Sequence, residues 1–532
     1  MSNRSSFFTL LRTSLFVLLM LSGVASFGAE RVLVVGDSIT GHSMNLPYGY
    51  AHEVRKALAA ANNDMEFVPL GGSGQTIFSW RNIIKGSYEN NHRLDIADIF
   101  VKDEFDRGAD TIIVHLGMND ALQPSIKSDE EGFKAWREEY VSLVSDLRKR
   151  VPSVKRIILT PPTMLTENPC DFKNLFMDRF ASIIKEVAAE NGCEYFDLRA
   201  EFERHFLAAR RLNPDFRMTL DFVHPNEFGH QIMTWSFLRS LGLDDIAATY
   251  YETKVAAEIK DFSTPGVSLF VNDVLLAESP AKADASRVVP VEIKGFLLGL
   301  NPADVKISSD VLTVKSIESA NESEFTAILE GPTSALPTTI SVEIADVKKE
   351  VLVNAPYFVA TGFPFDSYPR PEEFPREKAS TAVDAAALAG SDPLDVALPN
   401  PVDANAALQW YCYYPTLDKT GATNPNAVDI AALAPANAFD AGYVVRYIVS
   451  PKAQKATLKL NSEGFSTTAI ETIYLNGSEI YFDCLSPRHI KAVDQVEVEL
   501  KEGLNILVSR VDHTNWQWAT SYSFEDAEGL SF

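Results

Sequence analysis

The chain has 532 residues, more than one hydrophobic core usually serves, since cores stop growing at about 250–300 residues. With 46% apolar and 23% charged residues it has the makeup of a globular protein, unlike a disordered or membrane-embedded one. Its 48 Lys and Arg against 72 Asp and Glu leave a formal charge of −24, which argues against nucleic acid and anionic membrane surfaces as partners, because both are held by clustered basic residues.

Residues 1–29 read as an export signal. Arg4 and Arg12 are followed by the apolar run Leu15 to Leu21 and by small residues at Gly23, Ala25, Ser26, Gly28 and Ala29 that suit cleavage. No later stretch reaches the roughly 18–20 apolar residues of a membrane helix, so the mature chain is expected to be exported, to the periplasm or the cell exterior, without an integral membrane segment.

From 30 to 245 short apolar runs alternate with helical periodicity. Val32 to Val35, Phe67 to Leu70, Thr111 to Leu116, Ile157 to Thr160 and Tyr195 to Leu198 are strand-like. Between them Phe133, Trp136, Tyr140, Val144 and Leu147, and then Phe176, Phe180, Ile183 and Val187, recur at spacings of three and four, as on amphipathic helices. This pattern predicts an α/β fold, a parallel sheet covered on both faces in three α/β/α layers.

The period then changes to two. Phe325, Ala327 and Leu329, and Ile340, Val342 and Ile344, alternate with polar neighbours, which predicts a small, immunoglobulin-like β-sandwich over 260–355. Prolines 364, 369, 371, 375, 393, 399 and 401 crowd the stretch 356–405, which reads as a linker or covering loop. From 406 to 532 strands return at Tyr443 to Val449, Ala456 to Leu460, Ile473 to Leu475 and Ile506 to Val511, with a hairpin signal at Asn476-Gly477.

The polar residues worth attention follow three of the parallel strands, at the sheet edge where open α/β folds bind ligands. Gly36-Asp37-Ser38-Ile39 sets a serine at a strand-to-helix turn, beside helix N–H groups that favour negative charge. Gly71-Gly72-Ser73-Gly74 offers backbone that a reacting oxygen can approach, and in Gly117-Met118-Asn119-Asp120 the Asn119 amide can donate to the same oxygen. A base is supplied by Asp221-Phe222-Val223-His224-Pro225. A carboxylate three residues before the imidazole can hold one ring nitrogen and leave the other for the Ser38 proton. His42 follows the nucleophile turn closely and reads as a solvated loop residue, with a place in the pocket lining as the alternative; His115 reads as a satisfied core residue and His230 as structural.

These four blocks, in this order, resemble the motif blocks of the SGNH/GDSL hydrolases, over about residues 31 to 242. The resemblance implies a serine esterase in which Ser38 is the nucleophile, His224 the general base and then acid, and Asp221 its orienting carboxylate. It also implies an oxyanion hole made by the backbone N–H groups of Ser38 and Gly74 and the Asn119 side chain, and no metal or organic cofactor. Two positions depart from the pattern: Ile39 stands where leucine is common, and Pro69 replaces an asparagine often found five residues before the oxyanion glycine. Gly74 is assigned because it follows Ser73 as in the family's Ser-Gly pair.

The last region resembles the jelly-roll modules carried by carbohydrate-active enzymes, so the expected substrate is an acylated carbohydrate that loses small groups such as acetyl. The other readings are a lipid or lysophospholipid esterase and an inert glycan-binding surface protein. Trp410, Trp516 and Trp518 are the aromatic candidates for sugar contact, although Trp is more often simply buried in a sandwich core. In an oxidising compartment Cys170 with Cys193 and Cys412 with Cys484 are the natural pairs, each inside one domain, with free buried thiols as the other reading; no CxxC unit points to structural zinc.

Overall fold

The computed structural model describes residues 29–87, 90–122, 130–256, 259, 264–277, 287–364, 382–396, 398, 409–415, 427–430, 440–460, 470–483, 494–512 and 519–532. The expected signal segment lies almost wholly outside them. Among the described residues no helix is long and apolar enough to cross a membrane.

The N-terminal domain is built on five parallel strands, β1 (Arg31–Gly36), β2 (Glu66–Gly71), β3 (Thr111–His115), β4 (Arg156–Thr160) and β5 (Glu194–Tyr195), in the order β2-β1-β3-β4-β5. The fifth is shorter than its apolar run because the Asp197 side chain accepts the Ala200 N–H at 3.0 Å and starts a helix at Leu198. Side chains alternate across the sheet. Val32 and Val34 enter one core with Tyr50, Phe202 and Phe237, while Leu33 and Val35 enter the other with Trp80, Trp136 and Phe180. Both faces are therefore dry, which is why these strands read as unbroken apolar runs.

Seven helices matter for the site: α1 (Ser38–Asn45), α2 (Tyr50–Ala60), α3 (Met118–Leu122), α4 (Glu130–Arg150), α5 (Phe172–Glu190), α6 (Leu198–Leu212) and α7 (Glu227–Ser240). The apolar stripe of α4 meets that of α5 where Trp136 stacks on Phe180, with ring centroids 4.0 Å apart and planes 11° apart. Pro69 is tolerated inside β2 because that strand is at the sheet edge. Registers align the strand ends. Gly36 pairs with both Gly71 and His115, and His115 pairs with Thr160, so four turns leave from one level. The end of β2 lies so close to α1 that a Cβ on Gly71 would sit 2.2 Å from the Gly41 nitrogen.

A first sandwich packs β10 (Thr313–Asn321), β11 (Glu324–Pro332), β8 (Val288–Leu298) and β6 (Gly266–Val271) against β9 (Val305–Ser308), β12 (Thr338–Ile344) and β13 (Val347–Val353). Phe325, Ala327, Leu329, Ile340, Val342 and Ile344 all point into its core, as their period of two predicts. Among the described residues, the second sandwich has a four-stranded and a seven-stranded sheet. The larger includes β7 (Val274–Leu276) and β14 (Tyr357–Pro364), and its other described strands fall between Tyr411 and Asp512. A strand from the first β region thus completes the sheet of the second. Within the stretch that reads as a linker, β14 pairs with strand Asp440–Ser450, and helix α8 (Ala382–Leu388) is tied down by buried Asp384, which accepts from Tyr443, Tyr474 and Arg510. Of the prolines there, Pro364 ends β14 and Pro393 opens a single 3-10 turn, Pro393–Asp395; the other five lie outside the described residues. The Asn476-Gly477 turn joins paired strands with φ of 50° and 89°, the left-handed pair a tight hairpin requires. Trp410 is buried in the core shared by the two sandwiches; Trp516 and Trp518 lie outside the described residues.

The expected Cys170–Cys193 bridge is not formed. Both thiols are free, because Cys170 belongs to the core on one face of the parallel sheet and Cys193 packs against the core on the other. Cys412 is likewise a free, buried thiol in the core shared by the two sandwiches, so its expected bridge to Cys484, a residue outside the described ones, is not formed either.

His115 also departs from expectation. It is fully buried against Phe237, yet neither ring nitrogen has a hydrogen-bond partner among the described residues, so its ring is an unsatisfied polar group in the core. Burial pushes its pKa down to about 4, and those of His205 and His230 to about 4 and about 3. An unfolded histidine titrates near 6.5, so the unfolded chain takes up these protons first as pH falls. The stabilisation from neutral His115 is complete above about pH 6.5 and is lost as pH falls toward 4, amounting to about 3 kcal/mol. Denaturant titrations of His115→Leu between pH 7 and pH 4 should show a shallower loss of stability than the unaltered chain; identical pH slopes would show that His115 is not responsible.

Candidate active site

Strand β1 ends at Gly36, and Asp37 then caps α1, its side chain accepting the Ile39 N–H at 2.9 Å. Ser38 is consequently the first residue of a helix, at the level where the parallel strands stop. The segment 218–226 reaches the same place from the far end of the domain. Asp221 Oδ1 accepts the backbone N–H groups of Val223 and His224 at 3.1 and 2.8 Å, which folds the segment so that both side chains lie on one side. His224 Nδ1 then lies 2.8 Å from Asp221 Oδ2, and His224 Nε2 lies 2.9 Å from Ser38 Oγ. A serine, an imidazole and a carboxylate are joined in one hydrogen-bonded line.

The two other motif turns meet beside it. Gly74 has φ of +63°, a conformation that favours glycine, and the Asn119 side chain donates to the neighbouring Gln75 carbonyl at 3.1 Å. One Asn119 N–H therefore braces the glycine turn, and the amide has a second to give. Asn119 is buried in the first turn of α3, between Met118 and Asp120, while Asp95 accepts the Ser73 N–H at 2.8 Å and holds the other side of that turn. Each sequence-predicted site residue thus lies at the carboxyl edge of the sheet.

His42 is a finding of the tertiary structure. From sequence it reads as a solvated loop residue; in the fold it is on α1, four residues after Ser38 and one turn along, with its ring edge-on to His224 at 5.4 Å. The spacing of four from a helix-starting serine is the signal that places it on the same face. His230, read as structural, accepts the N–H that opens α2, from Tyr50 to Nδ1 at 3.4 Å.

The electrostatics separate the two members of the Asp221–His224 pair. Burial alone would raise Asp221, but hydrogen bonds from the His224 ring and backbone, with its charge, hold the carboxyl at about 2. For His224 burial acts downward, and the hydrogen bond and charge of Asp221, then the charge of Asp37, outweigh it and raise the imidazole above its usual value. His42 is lowered by burial and by the neighbouring His224 charge. Burial lifts Asp37 to about 7, against the hydrogen bond from Ile39. The arrangement can keep Asp221 ionised through a cycle in which His224 accepts and returns a proton. An NMR pH titration should find the His224 ring with a midpoint above 6.5, and Asp221→Asn should bring it down because burial then dominates. A midpoint unmoved by that substitution would count against the pairing.

Residues 34–232 match the family described as GDSL-like Lipase/Acylhydrolase. The N-terminal domain is an SGNH/GDSL hydrolase domain, and the chain is a carboxylic ester hydrolase. Over 222 residues, 40% of this chain and 95% of the relative, it is 26% identical to a protein named acetylxylan esterase from Geobacillus stearothermophilus. Among solved structures, 40% of the chain overlays 98% of an acetyl xylan esterase at 20% identity and a TM-score of 0.33. It likewise overlays 96% of an α/β hydrolase from the metagenome of Lake Arreo, Spain, at 24% identity and a TM-score of 0.31.

Proposed function

We propose that this chain is an exported serine esterase that removes acetyl groups from carbohydrate by a two-step acyl transfer. The hydrogen-bonded line Ser38–His224–Asp221 carries the proposal. His224 Nε2 takes the hydroxyl proton as Ser38 Oγ attacks the ester carbonyl, and Asp221 holds the imidazolium that results. Negative charge on the carbonyl oxygen is met by the N–H groups of Ser38 and Gly74 and by the Asn119 amide. Collapse of this intermediate expels the alcohol, which receives the proton from His224. Water, deprotonated by the same imidazole, then cleaves the acyl-enzyme and frees acetate.

Carbohydrate as the alcohol is supported by the similarity to a protein named acetylxylan esterase and by the two sandwiches carried behind the hydrolase domain. Export is supported by Arg4, Arg12 and the apolar run after them.

On a short-chain chromogenic ester, Ser38→Ala and His224→Ala should each lower kcat/KM by about 10³-fold or more with thermal unfolding unchanged. Asn119→Ala should cost about 10²–10³-fold, as loss of one oxyanion donor does. Full turnover by folded Ser38→Ala would end the assignment. Substrate class is decided by measuring acetate released from a panel of acetylated polysaccharides alongside long-chain lipid esters: acetate release should dominate, and a preference for the lipid panel would replace carbohydrate with lipid.

A further inference from the structure

The segment that carries Asp221 and His224 rests on a buried carboxylate that no motif includes. Glu167 follows β4 in the loop before α5, and its side chain is completely shielded from solvent. Its Oε1 accepts three hydrogen bonds, each of 2.7 Å, from the Met218 N–H, the Thr219 N–H and the Thr219 hydroxyl. Its Oε2 faces the guanidinium groups of Arg210 and Arg217 at 3.5 and 3.6 Å. Met218 and Thr219 open the segment, and the segment closes on itself directly above them. Leu220 N–H donates to the His224 carbonyl at 2.8 Å, Asn226 N–H donates to the Met218 carbonyl at 2.9 Å, and Thr219 bridges Pro225.

The backbone on both sides is held in conformations that side chains disfavour. Thr166 and Glu167 have consecutive φ values of 61° and 56°, and Phe222, between Asp221 and His224, has φ of 68°. A non-glycine residue in this region is strained and persists only where its surroundings over-determine it. Here Thr166 N–H donates to the Phe222 carbonyl at 3.0 Å, and the Arg217 guanidinium lies 4.7 Å over the Phe222 ring. From below, Asn174 accepts the Leu165 N–H at 3.0 Å and donates to the Asn168 carbonyl at 2.6 Å.

We propose that Glu167 is a positioning residue, which sets the height and tilt of the Asp221–His224 pair against Ser38 from beneath the segment. The proposal rests on the Ser38–His224–Asp221 reading above. The carboxylate joins the β4–α5 loop, where the strain is stored, to the two residues from which the segment springs, and a displacement of about 1 Å at the imidazole is enough to cost about 10²-fold in rate. The titratable groups facing His224 are Asp221 on its own segment, Asp37 and His42 from the β1–α1 side, and His230 from α7, which burial keeps neutral. Loosening the segment draws Asp221 away from His224, so the imidazole loses its main stabilising partner and titrates lower.

The test is steady-state kinetics of the full chain on a short-chain chromogenic ester across pH, with thermal unfolding of each variant. Glu167→Ala should lower kcat by about 10- to 100-fold with KM nearly unchanged, and should move the acid limb of kcat/KM to lower pH. Glu167→Gln keeps a carbonyl acceptor for the segment and should restore most of kcat and of the pH midpoint. Should Glu167→Ala not unfold cooperatively, Glu167→Gln and Thr219→Val carry the test, with smaller shifts in the same direction. The proposal is overturned by folded Glu167→Ala with unaltered kcat and midpoint, by a fall in kcat with an unmoved midpoint, or by wild-type values for both milder variants where Glu167→Ala does not fold. His224→Ala distinguishes the two levels. Turnover by that variant removes the underlying reading, whereas an inactive His224→Ala beside unaltered Glu167 variants removes the positioning role alone.

Discussion

The contact between His224 Nε2 and Ser38 Oγ, 2.9 Å long, joins residues 186 positions apart, and most of the N-terminal domain bears on keeping it at that length. One end is fixed by β1, which runs inside the sheet between β2 and β3 and releases Ser38 at its carboxyl edge. The other end is fixed by a short segment stitched to itself, to Glu167 and to α7. Asn226 caps α7 through the Gly229 N–H, and a Cβ on Gly229 would come within 2.3 Å of the Met218 carbonyl. Nothing larger than glycine fits where this helix meets the segment. The proton transfer proposed for this pair tolerates little slack, and the contacts that fix its two ends are concentrated here.

Burial acts on the titratable groups of this domain in opposite directions, and hydrogen bonding decides the outcome. His115 has only burial and stays neutral far below its usual range. His224 is also partly buried but carries Asp221, and moves the other way. Asp221 gains from the same pair and falls to about 2, while Asp37 and Asp120 are lifted to about 7 by burial that their hydrogen bonds do not offset. His224 thus contrasts with His115, His205 and His230, which burial keeps neutral, and this suits the role of base proposed for it.

The sandwiches are tied to the catalytic domain near its working parts. Ser268 in β6 donates to the Leu207 carbonyl of α6 at 2.8 Å, and Phe270 packs on Phe206 with ring centroids 6.0 Å apart. Asn168, next to Glu167, donates to the Val271 carbonyl at 3.2 Å. The loop that supports the Asp221–His224 segment is thus anchored to the first sandwich, and the first sandwich lends β7 to the large sheet of the second. Structural continuity runs from the strand-rich C-terminal half to the site.

The α/β layering was legible in the sequence because burial on two faces forces unbroken apolar strands, and one-sided helices force spacings of three and four; Val32 to Val35 and Phe133 to Leu147 show each pattern. The motif residues were legible because each follows a strand directly, so that sheet topology alone brings Ser38, Gly74 and Asn119 to one edge, and because Asp221 and His224 are near enough in sequence to pair locally. Chain order could not show which face of the sheet a cysteine enters, and Cys170 and Cys193 are in fact on opposite ones. Nor could it show that His42 stands beside His224, that His115 is buried without a hydrogen-bond partner among the described residues, or that a strand from 274–276 completes a sheet built mostly of residues beyond 356. Glu167 lies outside every motif, and its role depends on a left-handed backbone and on residues about fifty positions away. Patterns of period and spacing record what neighbours along the chain do; contacts between distant segments are settled only when the packed interior fixes which side chains share a space.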